Sequence, residues 1–115
     1  MKIKMVEEAI DIKELGKIGE EGFGDLVKGV VDIEKEIMAI GGELHADEEA
    51  ILLSSGSKQE SLWGINLYPQ KKDEELIEFD SVINLKPAQG NRSRGIENPQ
   101  IQKRIKKIVD KLIKT

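Results

Sequence analysis

The sequence predicts an α+β domain with a mostly antiparallel sheet of about five strands and helices on one face. Short segments rich in apolar and β-branched residues alternate with longer segments whose apolar residues recur at helical spacing. The resulting order is β-α-β-β-α-β-β-α, and strands that follow one another directly favour antiparallel hairpins. A length of 115 residues suits a single domain that spans residues 1–115.

The first strand and the first helix are predicted near the N-terminus. Residues 2–6 alternate between charged and apolar side chains, which is the period of a half-buried strand. Asp11 stands where a helix N-cap is expected, and Glu14, three residues later, is the matching partner of a capping box. Gly22 and Gly24 are expected to end this helix.

The segment from Leu26 to Ile40 is compatible with two structures. Its apolar residues can be placed on one stripe of a helix. Most of them are β-branched, however, which favours strands, and Gly29 weakens a helix interior. We therefore predict a hairpin with strands at Leu26–Ile33 and Ile37–Gly41, joined by a charged turn at Glu34–Glu36.

The rest of the chain is predicted as a helix, a second strand pair and a final helix. Good helix formers with acidic residues in the first turn favour a helix at His45–Leu53. Strands are predicted at Ser61–Tyr68 and Leu76–Leu85. Both contain Ile-Asn-Leu followed, one residue later, by proline, which ends a strand. A polar loop, Ala88–Asn98, leads to an amphipathic helix that begins at Pro99.

Charge is distributed unevenly along the chain. Residues 1–90 contain ten basic and twenty acidic side chains, a balance of −10. Residues 91–115 contain eight basic and two acidic ones, a balance of +6. The basic end could bind an anionic partner, or the two ends could attract each other within the fold. The net charge of −4 disfavours nucleic acid as the partner, because nucleic-acid-binding domains are usually basic.

Composition argues against several classes of protein. The absence of cysteine rules out disulfide frameworks, thiolate metal sites and thiol nucleophiles. No apolar run approaches the ~20 residues of a membrane span, and the early acidic residues are atypical of a signal peptide. We predict no cofactor, because nucleotide-binding glycine motifs and a nucleophile elbow are missing. A cytoplasmic protein is expected, and the richness in Lys and Glu fits a thermophilic source.

The arginine loop, Gln89–Gly95, is the most suggestive candidate site. Arg92 and Arg94 are one residue apart and lie between glycines, so they could hold a phosphate or a carboxylate in bidentate fashion. The alternative is that they pair with the protein's own acids, Glu78 or Asp80. The basic outer face of the final helix is more simply a solvated surface.

Three candidate catalytic residues lie outside this loop. His45 is the only histidine, and with the nearby Asp47 it could bind a divalent metal or act as a general base. Asp80 shares one face of its predicted strand with Glu78 and could line a hydrolytic cleft. Acids at a helix N-terminus or on an exposed strand face also occur without any chemistry. Since catalytic metal sites usually use more than one His or Cys, we predict no metal site.

Four further residues are candidates for binding. Asn66 and Asn84 occupy equivalent positions in the two Ile-Asn-Leu tripeptides, and Asn91 lies in the arginine loop. Trp63 is the only tryptophan. It is expected in the core, although it could also serve as an interface anchor. A structure that shows which of these side chains share a pocket would decide between a structural and a binding role.

Six segments of the sequence resemble a family of small prokaryotic proteins that is known only as a domain of unknown function. They are Val31–Glu34, Gly42–Asp47, Gly56–Gln59, Leu62–Pro69, Ile77–Ser81 and Gln89–Arg94. The resemblance covers nearly the whole chain and implies a bacterial or archaeal cytoplasmic protein, with no activity or ligand attached. The size, strand pairing and late arginines are also similar to those of compact ribonuclease toxins, an analogy at the level of the fold.

We therefore expect a small cytoplasmic binding or interaction module whose arginine loop binds an anionic small molecule or a protein partner. The alternative hypothesis is a small metal-dependent hydrolase or toxin-like ribonuclease that uses His45 or Asp80 with Arg92 and Arg94. A third is a homodimer formed through an exposed apolar patch. The position of His45 relative to Asp80 and Arg94 discriminates between the first two, because the enzyme needs all three in one cleft.

Overall fold

The computed structural model describes residues 2–115 and has a five-stranded antiparallel sheet at its centre. In chain order its elements are β1 (Lys4–Val6), β2 (Ile10–Asp11), α1 (Ile12–Glu21), β3 (Val27–Asp32), β4 (Ile37–Ile40), α2 (His45–Ser54), β5 (Leu62–Leu67), β6 (Ile77–Glu78), α3 (Pro99–Leu112) and β7 (Ile113–Lys114). The sheet has the order β1-β4-β3-β5-β6, and β2 and β7 form a separate short parallel pair. The predicted α+β class is confirmed, with the larger elements in the predicted order.

The sheet carries helices on both faces, whereas the sequence led us to expect them on one. Val31 and Trp63 are neighbours across β3 and β5, and they belong to the core that α1 and α3 cover. Val30 points to the opposite face and packs with Leu52 of α2. Because successive residues of a strand point to opposite faces, the apolar run of β3 contributes to both cores.

Residues 26–40 form the predicted hairpin and not a helix. β3 and β4 pair antiparallel along the whole of β4. The turn is closed by the Asp32 carboxylate, whose Oδ1 accepts hydrogen bonds from the backbone N–H groups of Glu34 (2.9 Å) and Lys35 (3.0 Å). The β-branched side chains of this segment are thus buried on a pleated sheet, the surface on which they pack well.

The helices begin close to their predicted positions. Asp11 precedes α1, and its carboxylate accepts a hydrogen bond from the Lys13 N–H (2.8 Å). Glu14, which was expected to complete a capping box, instead forms an ion pair with Lys4 (Oε2 to Nζ, 3.4 Å). The final helix, α3, begins at Pro99 as predicted. None of the helices formed by residues 2–115 is long and apolar enough to cross a membrane.

The strand predicted at Leu76–Leu85 is only two residues long. β6 ends at Glu78, and Ser81 then caps a 3₁₀ turn over Val82–Asn84, its Oγ accepting a backbone N–H of that turn (3.2 Å). A Cβ atom at Gly64 on β5 would lie 2.5 Å from the Cβ of Ser81. The missing side chain at residue 64 therefore lets the turn pack directly against β5, where a continued strand was expected.

Candidate ligand-binding site

The arginine loop is anchored to β5 by the side chain of Asn84. Its Oδ1 accepts a hydrogen bond from the Gly64 N–H (2.8 Å), and its Nδ2 donates to Gly64 O (3.0 Å) and to Arg94 O (2.9 Å). An amide side chain thus supplies the donor and the acceptor that a neighbouring strand would supply. Because Asn84 is completely buried, it holds the backbone of Arg94 at a defined place beside the sheet.

Asn91 organises the inside of the same loop. Its Nδ2 donates to the carbonyl oxygens of Asn84 (2.7 Å) and Gly95 (2.7 Å), and its Oδ1 accepts from the Glu97 N–H (2.9 Å). The side chain is buried. Asn84 and Asn91, both candidates for binding, therefore have their amide groups engaged in holding the loop.

Arg94 is paired with Asp80 and remains half exposed. Its Nε donates to Asp80 Oδ1 at 2.8 Å, and the two side chains are 55% and 44% exposed. This bond uses one of the five N–H donors of the guanidinium. Arg94 therefore pairs with one of the protein's own acids, which was the alternative predicted from the sequence. The pairing uses a single hydrogen bond, so the donors of the two Nη groups remain available.

Arg92 lies on the outer side of the arginine loop. Its backbone N–H donates to Glu97 Oε2 (2.8 Å), while its side chain is exposed. Of the carboxylates in residues 2–115, none lies within ion-pair distance of the Arg92 guanidinium. The loop thus presents one guanidinium fixed by a carboxylate and a second whose charge is unpaired.

A row of polar side chains crosses the sheet. Lys28 on β3, Asn66 on β5 and Glu78 on β6 are direct cross-strand neighbours and point to the same face. Glu78 Oε1 accepts from Asn66 Nδ2 (2.9 Å) and from the Tyr68 hydroxyl (2.9 Å), and the latter bond raises the pKa of Tyr68. Asn66 is 8% exposed, and its buried Oδ1 has no hydrogen-bond partner among residues 2–115. Such an acceptor marks a place where a ligand group or an ordered water is expected.

His45, the first residue of α2, is buried over the sheet next to this row. Its Nε2 lies 2.8 Å from Ile65 O. Because a carbonyl only accepts, Nε2 carries the proton and Nδ1 is the basic nitrogen. Burial lowers the pKa of His45 below its usual 6.5; the Ile65 carbonyl and Asp80 oppose the shift, and the charges of Lys28 and Arg94 add to it. His45 is therefore neutral at pH 7 and lies close enough to Asp80 and Arg94 to sense both charges.

Six of these side chains form what we term the polar cluster: Lys28, His45, Asn66, Glu78, Asp80 and Arg94. It combines two cations and two carboxylates with a neutral imidazole and an amide, so its charges balance at pH 7. Within the polar cluster Asp80 and Arg94 are in direct contact, and His45 is linked to both through the effect of their charges on its pKa.

Asp47 and Trp63 lie outside the polar cluster. Asp47 is exposed in the first turn of α2, where a carboxylate complements the helix dipole. Trp63 is buried in the core, and Lys86 Nζ lies 5.4 Å from the centroid of its ring. In the part of the chain that the structure describes, no group of three or more His, Asp and Glu side chains is arranged to hold a metal ion.

Glu48 is a buried acid that was not a candidate from the sequence. It is 0% exposed: Oε2 accepts from the Gly42 N–H (2.9 Å), and Oε1 has no hydrogen-bond partner in the described part of the chain. Burial raises the pKa of Glu48 to about 9, so the acid is neutral at pH 7. The spacing of His45, Glu48 and Leu52 could have indicated that Glu48 is buried, because residues three and four apart share one face of a helix.

Comparison with known proteins identifies a family for this chain. The family model described as "Protein of unknown function (DUF5674)" matches residues 4–112 of the chain. Searches of curated proteins and of solved structures found no match. The family match covers nearly all of the 115 residues. The chain therefore belongs to the DUF5674 family of proteins of unknown function.

Proposed function

We propose that this protein is a small binding module whose arginine loop binds a phosphate-bearing anion. The contact between Arg94 Nε and Asp80 Oδ1 (2.8 Å) is the observation that carries the proposal. A guanidinium held through Nε presents its two Nη groups in a fixed plane, which is suited to bidentate recognition of phosphate. Arg92, two residues earlier in the same loop, is exposed and adds a second positive charge.

The backbone that supports these arginines is held by hydrogen bonds from two buried side chains. Asn84 bonds the carbonyl of Arg94, and Asn91 bonds the carbonyls of Ser93 and Gly95. Such preorganisation favours binding, because less conformational freedom is lost when the ligand arrives. A phosphate monoester carries about −1.5 to −2 charges and three acceptor oxygens, so it matches two neighbouring guanidinium groups better than a carboxylate does.

Titration with inorganic phosphate at low salt, followed by calorimetry and thermal unfolding, tests this function. At ten times Kd, phosphate should raise the free energy of unfolding by about 1.4 kcal/mol, which is about 5 °C in Tm. The double variant Arg92→Gln/Arg94→Gln should lose the effect. Lys103→Gln/Lys107→Gln removes the same charge from exposed positions of α3 and should retain it.

Two outcomes would contradict the proposed function. If both double variants lose binding equally, phosphate responds to net charge and not to the arginine loop. If phosphate neither binds nor stabilises the unaltered protein, the arginine loop is not an anion site.

A second candidate function is acid–base catalysis on a phosphate ester, as in a small hydrolase or a toxin-like ribonuclease. The effect of Asp80 and Arg94 on the pKa of His45 favours it, although burial, the Ile65 carbonyl and Lys28 have larger effects. The unprotonated Nδ1 of His45 would accept a proton from the nucleophile, while Arg94 would stabilise charge on the phosphate.

The variant His45→Gln separates catalysis from binding. Glutamine keeps a donor for Ile65 O but has no basic nitrogen. Hydrolysis of RNA and of a model phosphodiester would be measured with and without divalent metals. Activity that is lost in His45→Gln, with phosphate binding retained, would support the enzyme. Equal activity in both proteins, or none in the unaltered one, would remove this candidate.

We also propose a prokaryotic, cytoplasmic and thermophilic setting. The absence of cysteine suits a reducing compartment, and a Lys- and Glu-rich composition suits a protein that works at high temperature. A Tm well above the mesophilic range of about 45–65 °C would support the thermophilic part, and a Tm inside that range would contradict it.

A further inference from the structure

We propose that the ligand is a hydroxylated phosphate ester, and that Lys28 and Asn66 bind its hydroxyl group beside His45. This inference rests on the proposed function, because the arginine loop has to hold the phosphate. The inference adds a hydroxyl group as the second part of the ligand that the protein recognises. The free hydrogen-bonding groups of the polar cluster support it in three steps.

Asn66 offers an acceptor in a defined direction. Its Nδ2 is held on the β6 side by Glu78 Oε1 (2.9 Å) and Asp80 O (3.5 Å). Oδ1 is the other end of the same amide group, and Lys28 on β3 is the cross-strand neighbour of Asn66. Oδ1 is buried and has no partner. It therefore lacks a donor that a buried acceptor normally has.

One donor and two acceptors belong to neighbouring side chains on this face of the sheet. Lys28 Nζ can only donate, whereas Asn66 Oδ1 and the unprotonated His45 Nδ1 can only accept. A hydroxyl group can accept from the lysine and donate to either acceptor at the same time. Lys28 Nζ lies 5.3 Å from the centroid of the exposed Phe23 ring, so its end can move towards a ligand without disturbing the core.

Charged groups fit this place less well than a hydroxyl. An ammonium group would bring only donors to a place where the Lys28 ammonium already supplies them. A carboxylate would bring further acceptors to Asn66 Oδ1 and His45 Nδ1, which need donors. A neutral hydroxyl satisfies the amide and the imidazole without adding charge in a partly buried site.

Three probes test the inference by calorimetry at pH 7: inorganic phosphate, glycerol 3-phosphate and phosphoethanolamine. Glycerol 3-phosphate should bind about tenfold more tightly than phosphate, as expected for one or two net hydrogen bonds. Phosphoethanolamine should show no such gain. Lys28→Met and Asn66→Ala should each remove the gain while phosphate binding persists. Lys71→Met is the control, since Lys71 also lies over an aromatic ring, that of Tyr68 (4.6 Å).

Each failure has a distinct meaning. Equal affinities for glycerol 3-phosphate and phosphate would overturn this inference and leave the proposed function intact. Tighter binding of phosphoethanolamine would overturn it in favour of an amine. A gain that survives both Lys28→Met and Asn66→Ala would also overturn it, because the hydroxyl would then lie elsewhere. If none of the three probes binds, the proposed function itself fails.

Discussion

Asn84 offers a direct test of how the arginine loop is held. Replacement by Ala removes hydrogen bonds to the Gly64 N–H, Gly64 O and Arg94 O, which are 2.8, 3.0 and 2.9 Å long. The Asn84 side chain is fully buried, so Gly64 is left with unsatisfied groups that cost about 1–3 kcal/mol each. The Arg94 carbonyl is only part-buried and can bond water instead. We therefore expect the free energy of unfolding to fall by about 3 kcal/mol.

Urea unfolding followed by Trp63 fluorescence measures this change, because Trp63 is the only tryptophan and is buried. With an m-value of about 1.5 kcal/mol per molar urea, the midpoint should move by about 2 M. Asn98→Ala is the control. Asn98 caps α3 through one exposed bond to the Gln100 N–H (2.9 Å) and should cost about 1 kcal/mol. A loss for Asn84→Ala no larger than that of the control would refute the idea that its amide replaces a strand.

Three further predictions concern packing and pH. Gly64→Ala should lower the free energy of unfolding by about 2 kcal/mol, because its Cβ would lie 2.5 Å from that of Ser81. Ser81→Gly should restore most of the loss in urea titrations, and strict additivity would contradict the steric explanation. The pKa of Glu48 is raised to about 9, so the folded protein keeps a proton that the unfolded chain releases above about pH 4.5. The free energy of unfolding should therefore fall as the pH rises from about 4.5 to about 9, and Glu48→Gln should not show this fall. Parallel pH curves for the variant and the unaltered protein would show that Glu48 ionises normally. The pKa of His45 is lowered, mainly by burial, so the unfolded chain binds a proton below pH 6.5 more readily than the folded protein. Stability should fall with decreasing pH through that range, and less so in His45→Gln; equal losses would show that folded His45 takes up a proton freely.

Local patterns were sufficient to predict most of the elements. The β-branched run before residue 33 correctly indicated the hairpin of β3 and β4, and Asp11 and Pro99 correctly indicated the starts of α1 and α3. These signals act between residues that are close in sequence, so they need no knowledge of the rest of the fold. The packing of α2 on the opposite face of the sheet was not predictable in the same way, because it depends on which face of β3 remains uncovered.

The polar cluster could be predicted only in part. Residue type made His45, Asp80 and Arg94 candidates, but only the tertiary structure brings His45 to Ile65 of β5 and pairs Arg94 with Asp80 after β6. Lys28 and Glu48 were not candidates at all. Strand alternation and helical spacing put them on particular faces, yet only the docking of α2 on the sheet decides how far each is buried.

The sequence by itself determined an α+β chain with a basic loop and helix at its C-terminal end, because hydrophobic period and charge are properties of the chain alone. The two Ile-Asn-Leu tripeptides show what only the tertiary structure decided. Asn66 lies in β5, whereas Asn84 lies in a 3₁₀ turn, although their local sequences are nearly the same. Ser81 packs against Gly64, so the second tripeptide leaves the path of the strand and the side chain of Asn84 bonds β5 in place of a backbone.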